Sequence, residues 1–304
     1  MTCINPRLAY KKTNGQFTLA KIGDTAPIAS STLVPCGQCM QCRISHQRQW
    51  ATRMVHEAKM HSEPSCFLTL TIDDEHRTES RSVDQRDMQL FIKKLRKHLA
   101  PRKIRIFYCS EYGETTQREH YHAILFGYMP EDKKDFKKNK QGDMLYTSET
   151  LTNKWQKGFV TIGEFNATTA EYCAKYVTKA YIGADKENAY NWTDSDGVVH
   201  KRTPPFQRSS NRPGLGAAFY EKYKADMYPH DTCIIDGKNR PIPKAYDRKY
   251  KKDHPEEYLA LKARRNDKFT TNLNNDPHQK TKSFRRAQAE ILKQNLNLKK
   301  RDQT

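Results

Sequence analysis

No stretch of the 304 residues approaches the ~18 consecutive apolar positions that a membrane span requires, and the first residues lack the pattern of a signal peptide. A cytoplasmic protein that enters no membrane is expected. The G-x-x-x-x-G-K-[ST] loop that cradles nucleotide phosphates is missing, no helicase motor is recognisable, and no internal repeat occurs. Any chemistry should therefore proceed without ATP, and unwinding would fall to another protein. Cysteine is scarce: eight residues are too few for a disulfide scaffold in a chain of this length. Three of the eight are clustered, which points to metal binding in a reducing compartment. Acidic side chains are also short, 35 against 54 Lys plus Arg, leaving a formal charge of +19. Such an excess gathers polyanions and favours a nucleic-acid partner, although it dictates no fold.

What is present divides into four regions: 1–62 with the cysteines and a basic helix, a core at 63–183, a loop-rich extension at 184–243, and a basic tail at 244–304. In 43–60, Ile44, Gln47, Ala51, Met54 and Ala58 recur near helical spacing among Arg43, Arg48, Arg53 and Lys59. Residues 66–72 form a β-branched and apolar run, hence a strand, and 88–99 carry Leu90, Phe91, Leu95 and Leu99 at helical periodicity. Strands are expected at 104–109 and 121–126, closed into a hairpin through Gly113. The charged segment 131–143 reads as a loop. A short helix ends near Trp155, Gly158 breaks it, a strand resumes at 159–162, and 168–181 form a helix. Gly, Pro, Asn and Asp dominate 184–243. From Lys244 onward 17 basic residues face 8 acidic ones, a net of +9, with helices near 255–268 and 283–298. The sum is an α+β fold in which a central antiparallel sheet is flanked by helices.

Three clusters carry chemistry. His120 and His122 lie two apart on an extended segment and so share one face, where two imidazoles begin a metal site. Glu111, at the end of the preceding strand, becomes their neighbour if the hairpin closes through Gly113; Glu114 and Gln117 compete for the same role. Tyr172 and Tyr176 lie four apart on one helix face, and each is followed three residues later by a lysine, Lys175 and Lys179. A phenol has a pKa near 10, so a nearby cation is needed to lower it or to bind an attacked phosphate. Taken singly, strand histidines are ordinary polar residues, and tyrosines four apart merely pack a helix. In this order, strand histidines followed by a tyrosine helix, they suggest phosphotyrosine chemistry. Finally, Cys36, Cys39 and Cys42 form CxxCxxC, with Cys3 available as a fourth thiolate for structural Zn²⁺; an iron–sulfur cluster or unligated thiols are the alternatives. Cys66, Cys109, Cys173 and Cys233 read as buried small hydrophobes.

At this point the chain resembles a known family. Phe67-Leu68-Thr69-Leu70-Thr71, His120-Tyr121-His122 and the segment from Tyr172 to Lys179 stand in the order of the three motifs of HUH endonucleases. Pro35-Cys36-Gly37-Gln38-Cys39-Met40-Gln41-Cys42-Arg43, Glu111-Tyr112-Gly113-Glu114, Lys175-Tyr176-Val177-Thr178-Lys179 and Arg212-Pro213-Gly214-Leu215-Gly216 further resemble the replication initiation proteins of small single-stranded DNA phages, the microviruses of gokushovirus type. The likeness extends over residues 1–225. It implies rolling-circle initiation in the cytoplasm of a bacterial host. One strand of the phage origin, single-stranded or supercoiled, would be nicked, its 5′ phosphate joined to tyrosine, and the circle later resealed. It also implies Mg²⁺ or Mn²⁺ on His120, His122 and Glu111, the carboxylate being the family's usual third ligand, and a host helicase and polymerase as partners.

Rival readings are weaker. A zinc nucleobase deaminase shares PCxxC, but no HxE precedes Pro35. A passive single-strand binder would use the basic tail, Trp50, Trp155 and the tyrosines for stacking, yet it leaves the HxH strand and the paired YxxK unexplained. A plasmid initiator, relaxase or transposase shares the core chemistry and lacks only the Pro35 and Arg212 motifs.

Overall fold

The computed structural model describes the chain apart from residues 1–2, 14–16, 20–27, 114–115, 140, 180–189, 276–280 and 302–304 and the side chains of 17, 28–29, 177–179, 272–273, 282 and 296–301. In chain order its elements are β1 (Arg7–Lys12), β2 (Phe17–Leu19), β3 (Ile28–Val34), α1 (Met40–Ala58), β4 (Cys66–Ile72), α2 (Gln85–Leu99), β5 (Arg105–Tyr112) and β6 (Glu119–Phe126). There follow β7 (Lys134–Lys138), β8 (Met144–Thr147), α3 (Glu149–Trp155), β9 (Gly158–Glu164), α4 (Ala167–Lys179), β10 (Trp192–Thr193), β11 (Val199–His200) and β12 (Gln207–Ser209). The last are α5 (Ala217–His230), β13 (Cys233–Ile235), β14 (Lys238–Arg240), α6 (Lys244–Asp253), α7 (Pro255–Asn275) and α8 (Lys282–Arg301). Two compact units result: Met1–His46 with Glu256–Thr304, and Gln47–Pro255.

The larger unit is built on a seven-stranded antiparallel sheet in the order β12-β5-β6-β4-β9-β8-β7. Its centre follows from β4, whose alternate residues Cys66, Leu68, Leu70 and Ile72 are buried on one face while Phe67, Thr69 and Thr71 look to the other. On the first face these residues pack with Met88, Phe91 and Leu95 of α2 and with Leu151 and Trp155 of α3. Each fully buried Leu contributes roughly 1.5–3 kcal/mol. Asp84 caps α2 by accepting from the Arg86 N–H at 2.8 Å, and Ser148 caps α3 through the Leu151 N–H at 3.2 Å. On the second face, Phe107, Ile124 and Phe126 of the sheet pack with Ala51, Met54 and Val55 of α1 and with Ala170, Cys173 and Ala174 of α4. The α+β class and the large antiparallel sheet with flanking helices are as expected from the pattern.

Three expectations need correction. The charged segment 131–143 contains β7, whose five residues are all exposed. A solvated edge strand carries no apolar alternation to reveal it, and its lysines suit an edge that must not pair further. The stretch 184–243 holds α5 as well as short hairpins; Gly214 and Gly216 before it and Pro229 inside it obscure its start and end. The N-terminal unit adds a three-stranded sheet, β2-β1-β3, ahead of the cysteines. Within the basic C-terminal stretch α6 is packed rather than solvated: Tyr246 lies against His56, and Tyr250 stacks on Tyr228 at 3.5 Å between centroids. Among the described residues no helix is long and apolar enough to cross a membrane.

Candidate active site and metal-binding cysteines

The hairpin of β5 and β6 closes through Gly113, whose N–H donates to the Arg118 carbonyl at 2.9 Å. This register sets Glu111 opposite His120, and Cys109 opposite His122. Strand β4 flanks β6 on its other side, pairing Thr71 with His120 and Thr69 with His122. His122 is buried, and its two ring nitrogens face different partners. Nδ1 lies 3.1 Å from the Thr69 hydroxyl and Nε2 lies 2.7 Å from a Glu111 carboxylate oxygen. His120 has its Nδ1 2.7 Å from the Arg118 carbonyl. Burial lowers its pKa, and the charges of His122 and Arg118 act the same way against the raising effect of the Arg118 carbonyl and Glu111.

Helix α4 brings the phenols to this point. It starts from a reciprocal cap: the Thr169 N–H donates to the Asn166 side-chain oxygen at 2.9 Å, and the Asn166 N–H donates to the Thr169 hydroxyl at 2.8 Å. Ala170, Cys173 and Ala174 are fully buried against the sheet, and their small side chains let the helix approach closely. The Tyr176 ring then stacks on His122 at 5.0 Å, and the Tyr172 ring meets the same imidazole edge-on at 5.3 Å. The two phenol rings are 5.0 Å apart. Tyr172 is 40% exposed whereas Tyr176 is 7% exposed, so one phenol faces solvent and the other backs it.

Burial pushes the Tyr172 pKa up to about 12, with the Glu111 charge adding and a hydrogen bond from Tyr176 opposing. Tyr176 is raised further, by burial first and then by Tyr172 and Glu111, to which its hydroxyl is also hydrogen-bonded. In a carboxylate-lined pocket a phenolate is disfavoured unless a cation offsets Glu111.

The donor set fits such a cation. Both imidazoles have Nδ1 engaged by an outer group, which leaves Nε2 for a metal, the arrangement that orients histidine ligands. Glu111 and His122 are in contact; His120 shares their face, but its donor atom does not join theirs in a cluster of the closeness seen at the cysteines. Glu114 and the Lys179 side chain lie outside the described residues, and Lys175 is half-buried on α4. Gln117 is exposed and lies 3.4 Å from an Arg202 guanidinium nitrogen. The pattern reading missed Thr69, which orients His122, and Phe67, which stacks on it at 5.5 Å. Both were recoverable, because the period of two in β4 puts them on the histidine face.

In the other unit, Cys3, Cys36, Cys39 and Cys42 converge with all four sulfurs within 4.8 Å of one another. The Cys3 sulfur lies 3.4 Å from that of Cys36 and 3.7 Å from that of Cys39. Four thiolates at ~2.3 Å from one ion would be separated by about 3.8 Å, so a tetrahedral ion fits with little movement. The turn that assembles them needs Gly37, whose φ is +75°. The Cys36 N–H donates to the Cys3 sulfur at 3.2 Å, and the Cys39 N–H to the Cys36 sulfur at 3.3 Å. Cys42 sits in the first turn of α1, where the helix dipole favours negative charge. Although burial works to raise it, backbone N–H groups and the adjoining thiols hold Cys36 at about 6; burial and then Cys39 push Cys42 up to about 12. The four-cysteine group can hold a metal ion. Cys66, Cys109, Cys173 and Cys233 are buried apart from it.

Comparison with known proteins agrees with this geometry. A family model for replication-associated proteins of the ORF2 kind matches residues 65–181, the stretch that contains every histidine, carboxylate and tyrosine of the candidate active site. The chain is similar to replication-associated protein VP4 of Bdellovibrio phage phiMH2K, 30% identical over 273 residues that cover 87% of this chain and 82% of the relative. It is also similar to replication-associated protein ORF2 of Spiroplasma virus 4, 27% identical over 85% of this chain and 83% of the relative. A third relative, replication-associated protein ORF4 of Chlamydia phage 1, is 24% identical over 70% of this chain and 52% of its own length. No solved structure matches the chain. The chain therefore belongs to the phage replication-associated proteins, the rolling-circle replication initiators of microvirus type.

Proposed function

We propose that this protein is an HUH-type endonuclease and strand transferase that opens the phage origin by forming a phosphotyrosine bond. The observation that carries the reading is the packing of both phenols against His122, itself hydrogen-bonded to Glu111. In the reaction the tyrosine oxygen bonds to phosphorus as the bond to the 3′ oxygen breaks. The phenol gives up its proton, and the departing 3′ oxygen ends as a hydroxyl that can prime synthesis. One phosphodiester is exchanged for another of similar energy, so the step is reversible and needs no ATP. His120, His122 and Glu111 would hold Mg²⁺ or Mn²⁺, which when bound supplies Lewis-acid polarisation of the scissile phosphate. Lys175 and Lys179 follow the two tyrosines by three residues each and serve as phosphate contacts.

Tyr172 is the more accessible phenol and acts first; Tyr176, one turn away, attacks the regenerated origin to end the round. A helix shift of about one turn, ~5.4 Å, exchanges their positions. The cysteine group holds Zn²⁺ as a structural ion. Host helicase and polymerase complete the replication machinery. Incubation with labelled circular single-stranded phage DNA and Mn²⁺, followed by denaturing electrophoresis, tests the proposal. A nicked strand carrying covalently bound protein is expected, and DNA bound but never cut would reduce the protein to a passive binder.

A further inference from the structure

The Arg212-Pro213-Gly214-Leu215-Gly216 motif takes no part in the tyrosine chemistry, yet its backbone is firmly anchored. The Gly216 N–H donates to a Glu57 carboxylate oxygen at 2.6 Å, Arg53 Nε donates to the Leu215 carbonyl at 3.1 Å, and an Arg105 guanidinium nitrogen donates to the Pro213 carbonyl at 2.7 Å. Arg105 also pairs with Glu57. The anchored segment forms one wall of a cavity of about 1310 Å³ whose opposite wall is α2. Lys93 and Arg96 project from α2, Arg102 and Lys103 from the turn after it, and Arg208 and Arg212 from the anchored side; among the described residues no carboxylate lines the cavity. Its floor includes Ile106 and Tyr108, which belong to the α2 face of the sheet, whereas His122 and the tyrosines occupy the other face. The sheet thus separates this groove from the candidate nicking site.

We infer that this groove is a second DNA site, which grips the phosphate backbone of duplex DNA. Six cations without a lining carboxylate select a polyanion. Single strands are held chiefly by bases stacked on exposed aromatic rings, and the two aromatic side chains in the lining are otherwise engaged: Tyr108 is buried and His61 pairs with Glu57. Gln85, Gln89 and Asn211 instead add the amide groups typical of phosphate contacts. The inference rests on the protein's acting at DNA, but it is tested apart from cleavage.

The test is fluorescence anisotropy with a labelled duplex lacking origin sequence, over a range of salt concentrations. Neutralising Lys93→Gln, Arg96→Gln, Lys103→Gln and Arg212→Gln together should weaken duplex binding on the order of 10- to 100-fold and flatten the salt slope by about three to four. A charge-keeping variant, with Lys93→Arg, Arg96→Lys, Lys103→Arg and Arg212→Lys, should bind within about two-fold of the natural protein. Both should nick a short single-stranded oligonucleotide at the unaltered rate, which also shows that they fold. The control neutralises four exposed lysines at the opposite edge of the sheet, Lys133, Lys134, Lys137 and Lys138. Equal loss in that control would reduce the effect to net charge and overturn the inference. So would unchanged duplex affinity in the groove variant, or equal loss of affinity for duplex and for single strands. If nicking is absent from the natural protein while duplex binding follows this pattern, the groove stands and the endonuclease reading falls.

Discussion

The four cysteines and the histidine–carboxylate set are both groups of metal-ligand residues, but they are built differently. Around Cys3, Cys36, Cys39 and Cys42 the sulfurs already converge, N–H groups back the thiols, and four donors complete a tetrahedron. Around His122 only Glu111 is in contact, His120 stands off, and a partly exposed phenol fills the remaining side. A closed donor set holds an ion for architecture; an open one leaves room for a substrate oxygen. The difference also matches their surroundings. The sheet beneath the histidines rests on two apolar layers and needs no ion to fold, whereas in the cysteine unit the described buried hydrophobic residues are few, Cys3, Ala9 and Leu261 among them.

This contrast yields predictions of decreasing size. The largest concerns the open site: His120→Ala with His122→Ala should lower nicking on the order of 10³-fold while DNA binding, carried by many cations, stays within a few-fold. Gel assays of cleavage and binding on one preparation check this, and full nicking by a folded double variant would remove the proposed catalytic ion. For the closed site, protein purified without chelator should contain about one Zn²⁺ per chain, and Cys36→Ser with Cys39→Ser should lose it together with several kcal/mol of stability in that unit. Elemental analysis and thermal melting decide the matter; metal-free protein with an unchanged melt would contradict it.

An intermediate effect belongs to the face of the sheet turned away from the chemistry. Leu70→Ala should cost about 2–5 kcal/mol in chemical denaturation yet leave the nicking rate per folded molecule unaltered. A catalytic defect there would blur the division between the two faces. The smallest effect is expected for Lys175→Gln, a loss of a few-fold to about ten-fold in nicking from weaker phosphate contact, with Lys175→Arg restoring most of it. Equal activity of both variants with the natural protein would leave Lys175 a solvated helix residue.

Much of this was legible in the residues because regular periods announce buried faces. The alternation in β4, the helical spacing of α2 and the hairpin around Gly113 follow from burying one side of each element. The hairpin register then sets Glu111 opposite His120. What escaped has physical reasons. In β7 all side chains are solvated, so the strand leaves no apolar trace. In α5 the buried residues Tyr220, Met227 and Tyr228 sit too irregularly to outline a face. The unequal exposure of the two phenols, and the direct Glu111 contact with His122 rather than His120, depend on side-chain packing between distant segments, which no local period encodes.

The central claim is that Tyr172 and Tyr176 are both nucleophiles, and it is tested most directly by identifying the residue that carries DNA. Natural protein, Tyr172→Phe, Tyr176→Phe and the double variant would each be reacted with an origin oligonucleotide, digested, and the DNA-bound peptide sequenced by mass spectrometry. DNA should be found on Tyr172 in Tyr176→Phe, on Tyr176 at a lower rate in Tyr172→Phe, and nowhere in the double variant. Each single variant should also fail at repeated rounds of replication. Covalent DNA in the double variant, or on a residue outside α4, would contradict the account.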